Sequence, residues 1–95
     1  PTAIFCYNDK VAMKVVKVAE ELGLKIPEDL SIVGYDNDAT VSAVLDCGIT
    51  TISHPKEELG KKAAEMLLRL INGEQEKVSY IFEPEIVVKN SVKRI

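Results

Sequence analysis

The sequence predicts an α/β domain built on a parallel sheet with flanking helices, and three observations carry that expectation. Two short apolar runs, residues 2–7 and 30–35, are rich in strand formers, and between them lies a stretch of helical periodicity. Neither run alternates polar with apolar residues, which is the pattern of strands covered on both faces. Two strands joined by a helix in this way are parallel with a right-handed crossover, so their C-terminal ends open on the same edge of the sheet.

Each element has its own reason. Ala3-Ile4-Phe5-Cys6 lies within the first run and is expected to be a central strand. Asn8 and Asp9 supply N-cap chemistry for a helix in which Val11, Val15, Val18 and Leu22 recur at helical spacing, with Ala12, Val16 and Ala19 widening the stripe. Gly23 ends it. Residues 24–29, with Pro27 among them, form a connector, and the second apolar run stops at Asp36. Residues 37–40 are polar and turn-like, 41–45 allow one helical turn, and 49–52 are a brief β-branched strand. Pro55 suits the first position of a helix, with Glu57 and Glu58 favoured in its first turn by the helix dipole. Leu59, Ala63, Met66, Leu67, Leu70 and Ile71 form its apolar face until Asn72-Gly73. Residues 78–88 read as a final strand pair, or as one strand interrupted at Pro84.

Ninety-five residues make at most one small domain. The sequence opens at Pro1 and runs directly into an apolar segment, so it is expected to be part of something longer. Twelve basic residues against fifteen acidic ones give a formal charge of −3, and the basic ones are scattered along the helices, which argues against nucleic-acid binding by this segment itself. No apolar stretch approaches the length of a membrane span. Cys6 in a strand and Cys47 in a turn have no neighbours at metal-ligand spacing, so no metal and no cofactor is expected, and both fit best as thiols of a reducing cytosol.

In open parallel sheets ligands bind outside the carboxyl ends of the strands. Asn8 and Asp36 both fall at that edge. An amide and a carboxylate together match the alternating donor and acceptor character of vicinal hydroxyls on a sugar. The same residues also satisfy a plainer reading, with Asn8 or Asp9 as a helix cap and Asp36 as the start of a turn, and pattern alone does not choose between them. His54, the single histidine, can be sketched with Cys6, Asp36 and Ser53 as a hydrolytic group, but there is no Gly-x-Ser-x-Gly elbow and Cys6 should be buried, so the chain is not expected to be an enzyme. Met13 falls off the valine line, facing either a partner subunit or ordinary core packing.

Three motifs in order, Phe5-Cys6-Tyr7-Asn8-Asp9, Ile32-Val33-Gly34-Tyr35-Asp36, and Thr50-Thr51-Ile52-Ser53-His54-Pro55 continuing to Leu59-Gly60, resemble the C-terminal third of LacI/GalR-type repressors. The ending around Pro84 to Ser91 is similar too, with Lys89 where the family more often has Arg. Among relatives the chain looks closest to arabinose-responsive repressors that join a GntR-type winged helix to a LacI-type sensor. The resemblance implies a type I periplasmic-binding-protein-like fold of two lobes with a sugar in the cleft between them. Residues 1–50 would belong to the C-terminal lobe, the helix of residues 53–73 to the N-terminal lobe, and residues 78–95 would be a return strand and tail. Carried over by position, Asn8 and Asp36 match effector-binding positions, His54 a cleft-lining one, and Met13 with Val44 or Leu45 the dimer interface. Asn37 replaces the Asp commonly found there. The implied protein is a cytoplasmic homodimer that binds a small sugar and controls operator DNA binding through a separate N-terminal domain. The alternative is a periplasmic sugar-binding protein of the same fold, serving transport.

Overall fold

The computed structural model describes residues 1–44, 48–74 and 79–95. Its elements run β1 (Ala3–Phe5), α1 (Asp9–Glu21), β2 (Ser31–Val33), α2 (Ala39–Val44), β3 (Thr51–Ser53), α3 (Lys56–Ile71) and β4 (Glu85–Val87). They divide into two compact units, Pro1–Ser53 with Glu85–Ile95, and His54–Pro84.

The first unit is the expected strand-helix-strand arrangement. β1 and β2 are parallel, with Ile4 opposite Ile32. The third strand extends this layer: Val33 bridges Thr50 in parallel, and the Gly34 N–H donates to the Thr50 carbonyl at 2.9 Å. β4 then returns antiparallel to β3, with Ile52 opposite Ile86. Beyond β4 the chain turns back to the sheet at Ser91, which is fully buried. The Ser91 hydroxyl donates to the Ile32 carbonyl and accepts the Thr50 N–H at 2.8 Å, while the Ser91 carbonyl accepts the Ile32 N–H at 2.9 Å. One serine therefore stitches β2 to the start of β3.

Among the described residues β1 pairs with β2, and Phe5 is 64% exposed. Of the stripe expected on α1, the alanine-containing row is the buried part. Ala12, Val16 and Ala19 are buried, whereas Val11, Val18 and Leu22 are exposed. The small alanines let the helix backbone approach the sheet closely, which leaves the larger valines of the neighbouring rows outside the contact. The core is completed by Cys6, Leu30, Ile32, Val41 and Ile49, with Met13 and Val15 packed against its margin. α1 ends as a Schellman motif: the Gly23 N–H reaches the Glu20 carbonyl, the Leu24 N–H reaches that of Ala19, and Gly23 takes φ 75°.

The second unit is dominated by α3. Pro55 is its N-cap, one position earlier than expected, and no residue of the helix is buried. The expected strand at residues 78–88 reduces to Glu85–Val87; residues 79–84 form no strand, and Val78 lies outside the described residues. Instead Tyr80 stacks obliquely on Phe82, centroids 4.7 Å apart, and the Lys62 ammonium lies 4.9 Å from the Tyr80 ring centre. Pro84 lacks a backbone N–H and blocks extension of the ladder in that direction.

Candidate functional site

β1 and β2 end side by side, and the residues that follow them, Tyr7, Asn8, Tyr35 and Asp36, line one open cavity of about 380 Å³. Parallel pairing in register is what brings them together, because both strands release their chains at the same edge. The two tyrosines are exposed, Tyr7 at 86% and Tyr35 at 38%, and the two polar residues are half-buried.

Asn8 is also the cap of α1, its Oδ1 accepting the Val11 N–H at 2.9 Å. The cap engages the side-chain oxygen; the amide nitrogen carries two further N–H donors. Asp36 has φ 106° and Asn37 φ 53°, two successive residues in a region that L-residues other than glycine rarely visit. Such residues cost on the order of 1–3 kcal/mol each and persist only where their surroundings hold them.

The surroundings do so. The Asp36 N–H donates to the Ile52 carbonyl at 2.8 Å, the Asn37 N–H to Thr51 Oγ1 at 3.2 Å, and the Asp38 N–H to Asp9 Oδ2 at 2.7 Å. Thr51 in turn donates its hydroxyl to Asp9 Oδ1 at 2.7 Å, and the Asp9 N–H donates to the Tyr35 carbonyl at 3.0 Å. Asp9 is 2% exposed and Thr51 fully buried. A hydrogen bond to a charged group contributes about 1.5–3 kcal/mol, so the two that Asp9 accepts are of the size needed to offset two left-handed residues. Gly34 makes room for this carboxylate: a Cβ there would collide with Asp9 Oδ1.

Asp9, Gly34 and Thr51 were not singled out from the sequence as a group. The available signal was redundancy: a helix start needs one capping side chain, and Asn8-Asp9 offers two, so the second is available for another partner.

The other candidates fall elsewhere. His54 opens the second unit, is half-buried and does not line this cavity. Met13 is half-buried against the core margin, Val44 is 58% exposed at the end of α2, and Leu45, like Cys47, lies outside the described residues. Cys6 is buried, and burial pushes its thiol up from the ordinary value, away from nucleophile chemistry. Among the described residues no group of three or more His, Cys, Asp or Glu is placed to hold a metal ion, and no helix is long and apolar enough to cross a membrane.

Residues 1–92 match the family model of the periplasmic binding protein-like domain. The chain is 46% identical over its whole length to the arabinose metabolism transcriptional repressor of Geobacillus stearothermophilus, of which it covers 26%. Among solved structures it superposes on the lac repressor dimer bound to operator and the anti-inducer ONPF with a TM-score of 0.87, at 29% identity, covering 97% of this chain and 32% of that one. A LacI family regulator from Enterococcus faecium with bound ribose gives a TM-score of 0.84 at 35% identity, covering 96% of this chain and 34% of the other. The chain thus spans about a quarter to a third of the length of the relatives it matches.

Proposed function

Because this chain belongs to the periplasmic binding protein-like domain family, we propose that it supplies part of the effector site of a LacI-type transcriptional repressor and that the effector is a small sugar, arabinose being the first to test. The observation that carries this reading is the shared cavity of Asn8 and Asp36 at the C-terminal edge of two parallel strands. An amide donor, a carboxylate acceptor and two flanking phenol rings provide hydrogen bonds to hydroxyls and an apolar surface for the C–H face of a sugar ring. Relatives named as repressors favour regulation over the transport alternative and over any catalytic role, and they imply a cytoplasmic protein.

In this reading residues 1–50 belong to one lobe, α3 lies in the other, and residues 78–95 form the return strand and tail. His54 is a cleft-lining residue in this reading. Met13, Val44 and Leu45 contribute to a homodimer, as a dimeric relative suggests. The sugar binds the closed state more tightly, and this differential affinity, on the order of 1–3 kcal/mol, shifts the population away from the DNA-binding state carried by a separate domain.

The test is titration of the full-length protein with arabinose and ribose. Asp36→Ala should weaken binding by roughly ten- to a hundred-fold, the loss of one charge-assisted hydrogen bond. Unchanged affinity removes Asp36 from the site.

A further inference from the structure

We infer that Asp9 is a positioning residue of the effector site: through Thr51 and the Asp38 N–H, its buried carboxylate holds Asp36 and Asn37 in the left-handed conformation in which Asp36 lines the cavity. This inference rests on the effector-site reading given above and names a residue that does not itself line the cavity.

The geometry is specific. Three consecutive backbone N–H groups, at positions 36, 37 and 38, have three different acceptors: the Ile52 carbonyl, the Thr51 hydroxyl and the Asp9 carboxylate. Two of those three converge on Asp9, one directly and one through the Thr51 hydroxyl, which accepts from Asn37 and donates to Asp9. A bulkier or shorter side chain at position 9 cannot replace this. Alanine offers no acceptor, and the carboxylate reaches Thr51 only across the space that Gly34 leaves empty. Because Asp9 is also the first residue of α1, the same anchor couples the helix that Asn8 caps to the turn that carries Asp36. The spacing of the two polar groups facing a ligand is thereby set from behind the cavity.

A rigid anchor of this kind raises affinity by removing the need to order the turn at the moment of binding. Its loss therefore lowers affinity without removing any group that touches the ligand. Asp9→Ala removes both bonds but leaves a buried void. Thr51→Val is the cleaner variant, since it keeps the β-branched shape while deleting the hydroxyl that links Asn37 to Asp9.

The experiment compares the full-length wild type with Asp36→Ala, Thr51→Val, and Thr51→Val combined with Asn37→Gly, using arabinose and ribose as probes and amide hydrogen exchange at Asn37 and Asp38 as the second readout. Thr51→Val should bind at least fivefold more weakly and exchange those two amides at least tenfold faster. Adding Asn37→Gly should recover at least threefold in affinity, because glycine takes the left-handed region at no steric cost. A merely structural role for Thr51 would lower affinity with no such recovery, and that result overturns the inference. So does Thr51→Val binding as the wild type while Asp36→Ala does not. If Asp36→Ala itself binds normally, the effector-site reading has failed separately, and the exchange rates alone decide: unchanged protection in Thr51→Val overturns the anchor, and lost protection retains it.

Discussion

α1 and α3 carry similar sequence patterns and meet opposite fates. Both are amphipathic, 13 and 16 residues long, with apolar residues at helical spacing. α1 buries Ala12, Val16 and Ala19 against strands of its own unit, whereas Leu67, Leu68, Leu70 and Ile71 of α3 are all at least half exposed. Even their first turns differ: a side-chain cap from Asn8 opens α1, and Pro55 offers none to α3. Periodicity states that a face is built to be covered. What covers it depends on residues distant in sequence, and for α1 those residues lie within these 95.

The largest expected effect tests this asymmetry directly. Ile32→Ala, at a fully buried position under α1, should destabilise by about 2–5 kcal/mol in any length of protein that contains it. Leu67→Ala should stay within about 0.5 kcal/mol in the 95-residue chain, as for other exposed positions. In the full-length protein Leu67→Ala should approach the core value if α3 packs on a second lobe. Denaturant melts of both lengths measure this, and a small effect of Leu67→Ala at both would place α3 on the protein surface.

Ser91→Ala comes next. It leaves the Thr50 N–H without its acceptor and removes the clasp on Ile32, at an expected cost of about 1–3 kcal/mol. Because Ser91 binds only into the first unit, the loss should appear as faster amide exchange at Thr50 while α3 is unaffected. Equal loosening of α3 would mean that the two regions unfold as one.

Much of this was legible in the sequence, and the failures have physical causes. Parallel pairing of β1 with β2 followed from two apolar runs and a helix between them, and it placed Asn8 and Asp36 at one edge. The stripe on α1 is legible in the sequence, but its centre is not: Ala12, Val16 and Ala19 are buried and Val11 and Val18 are exposed, because closeness of approach favours alanine over the more hydrophobic valine. The anchor at Asp9 was hidden because its partners lie 29 and 42 positions away, and a capping pair explains the residue locally. Ser91 was invisible for the same reason, bonding 41 and 59 positions away. Of the strand pair or interrupted strand expected over residues 78–88, only Glu85–Val87 forms among the described residues, directly after Pro84, whose missing N–H cannot join a ladder.

Substitution at Asn8 separates the cap from the ligand contact. Asn8→Ala should cost about 1 kcal/mol through α1 alone, since the Val11 N–H loses its acceptor. Asn8→Asp keeps an acceptor for that N–H and adds a charge the helix N-terminus favours, so stability should hold. Sugar binding should nevertheless fall, because the amide donors are gone. If Asn8→Asp binds sugar as the wild type does, Asn8 is a cap and nothing more.

The smallest effect is a pH dependence confined to the α1 unit. Burial pushes the Cys6 thiol up, so the folded protein holds its proton more tightly than the unfolded chain, whose thiol ionises at the ordinary value near 9.0. The contribution is complete below that value, and stability declines as pH rises above it toward the folded pKa, because only the unfolded state then gains by releasing the proton. Residues 54–84 contain no cysteine, so with Cys47 replaced by Ala the thiol reports on the first unit only. Urea melts between pH 7 and pH 10 should show a decline that Cys6→Ala flattens, and iodoacetamide should label Cys6 at the rate of opening of the first unit. Labelling as fast as that of a free thiol would show that α1 does not seal its sheet, and the contrast with α3 would disappear.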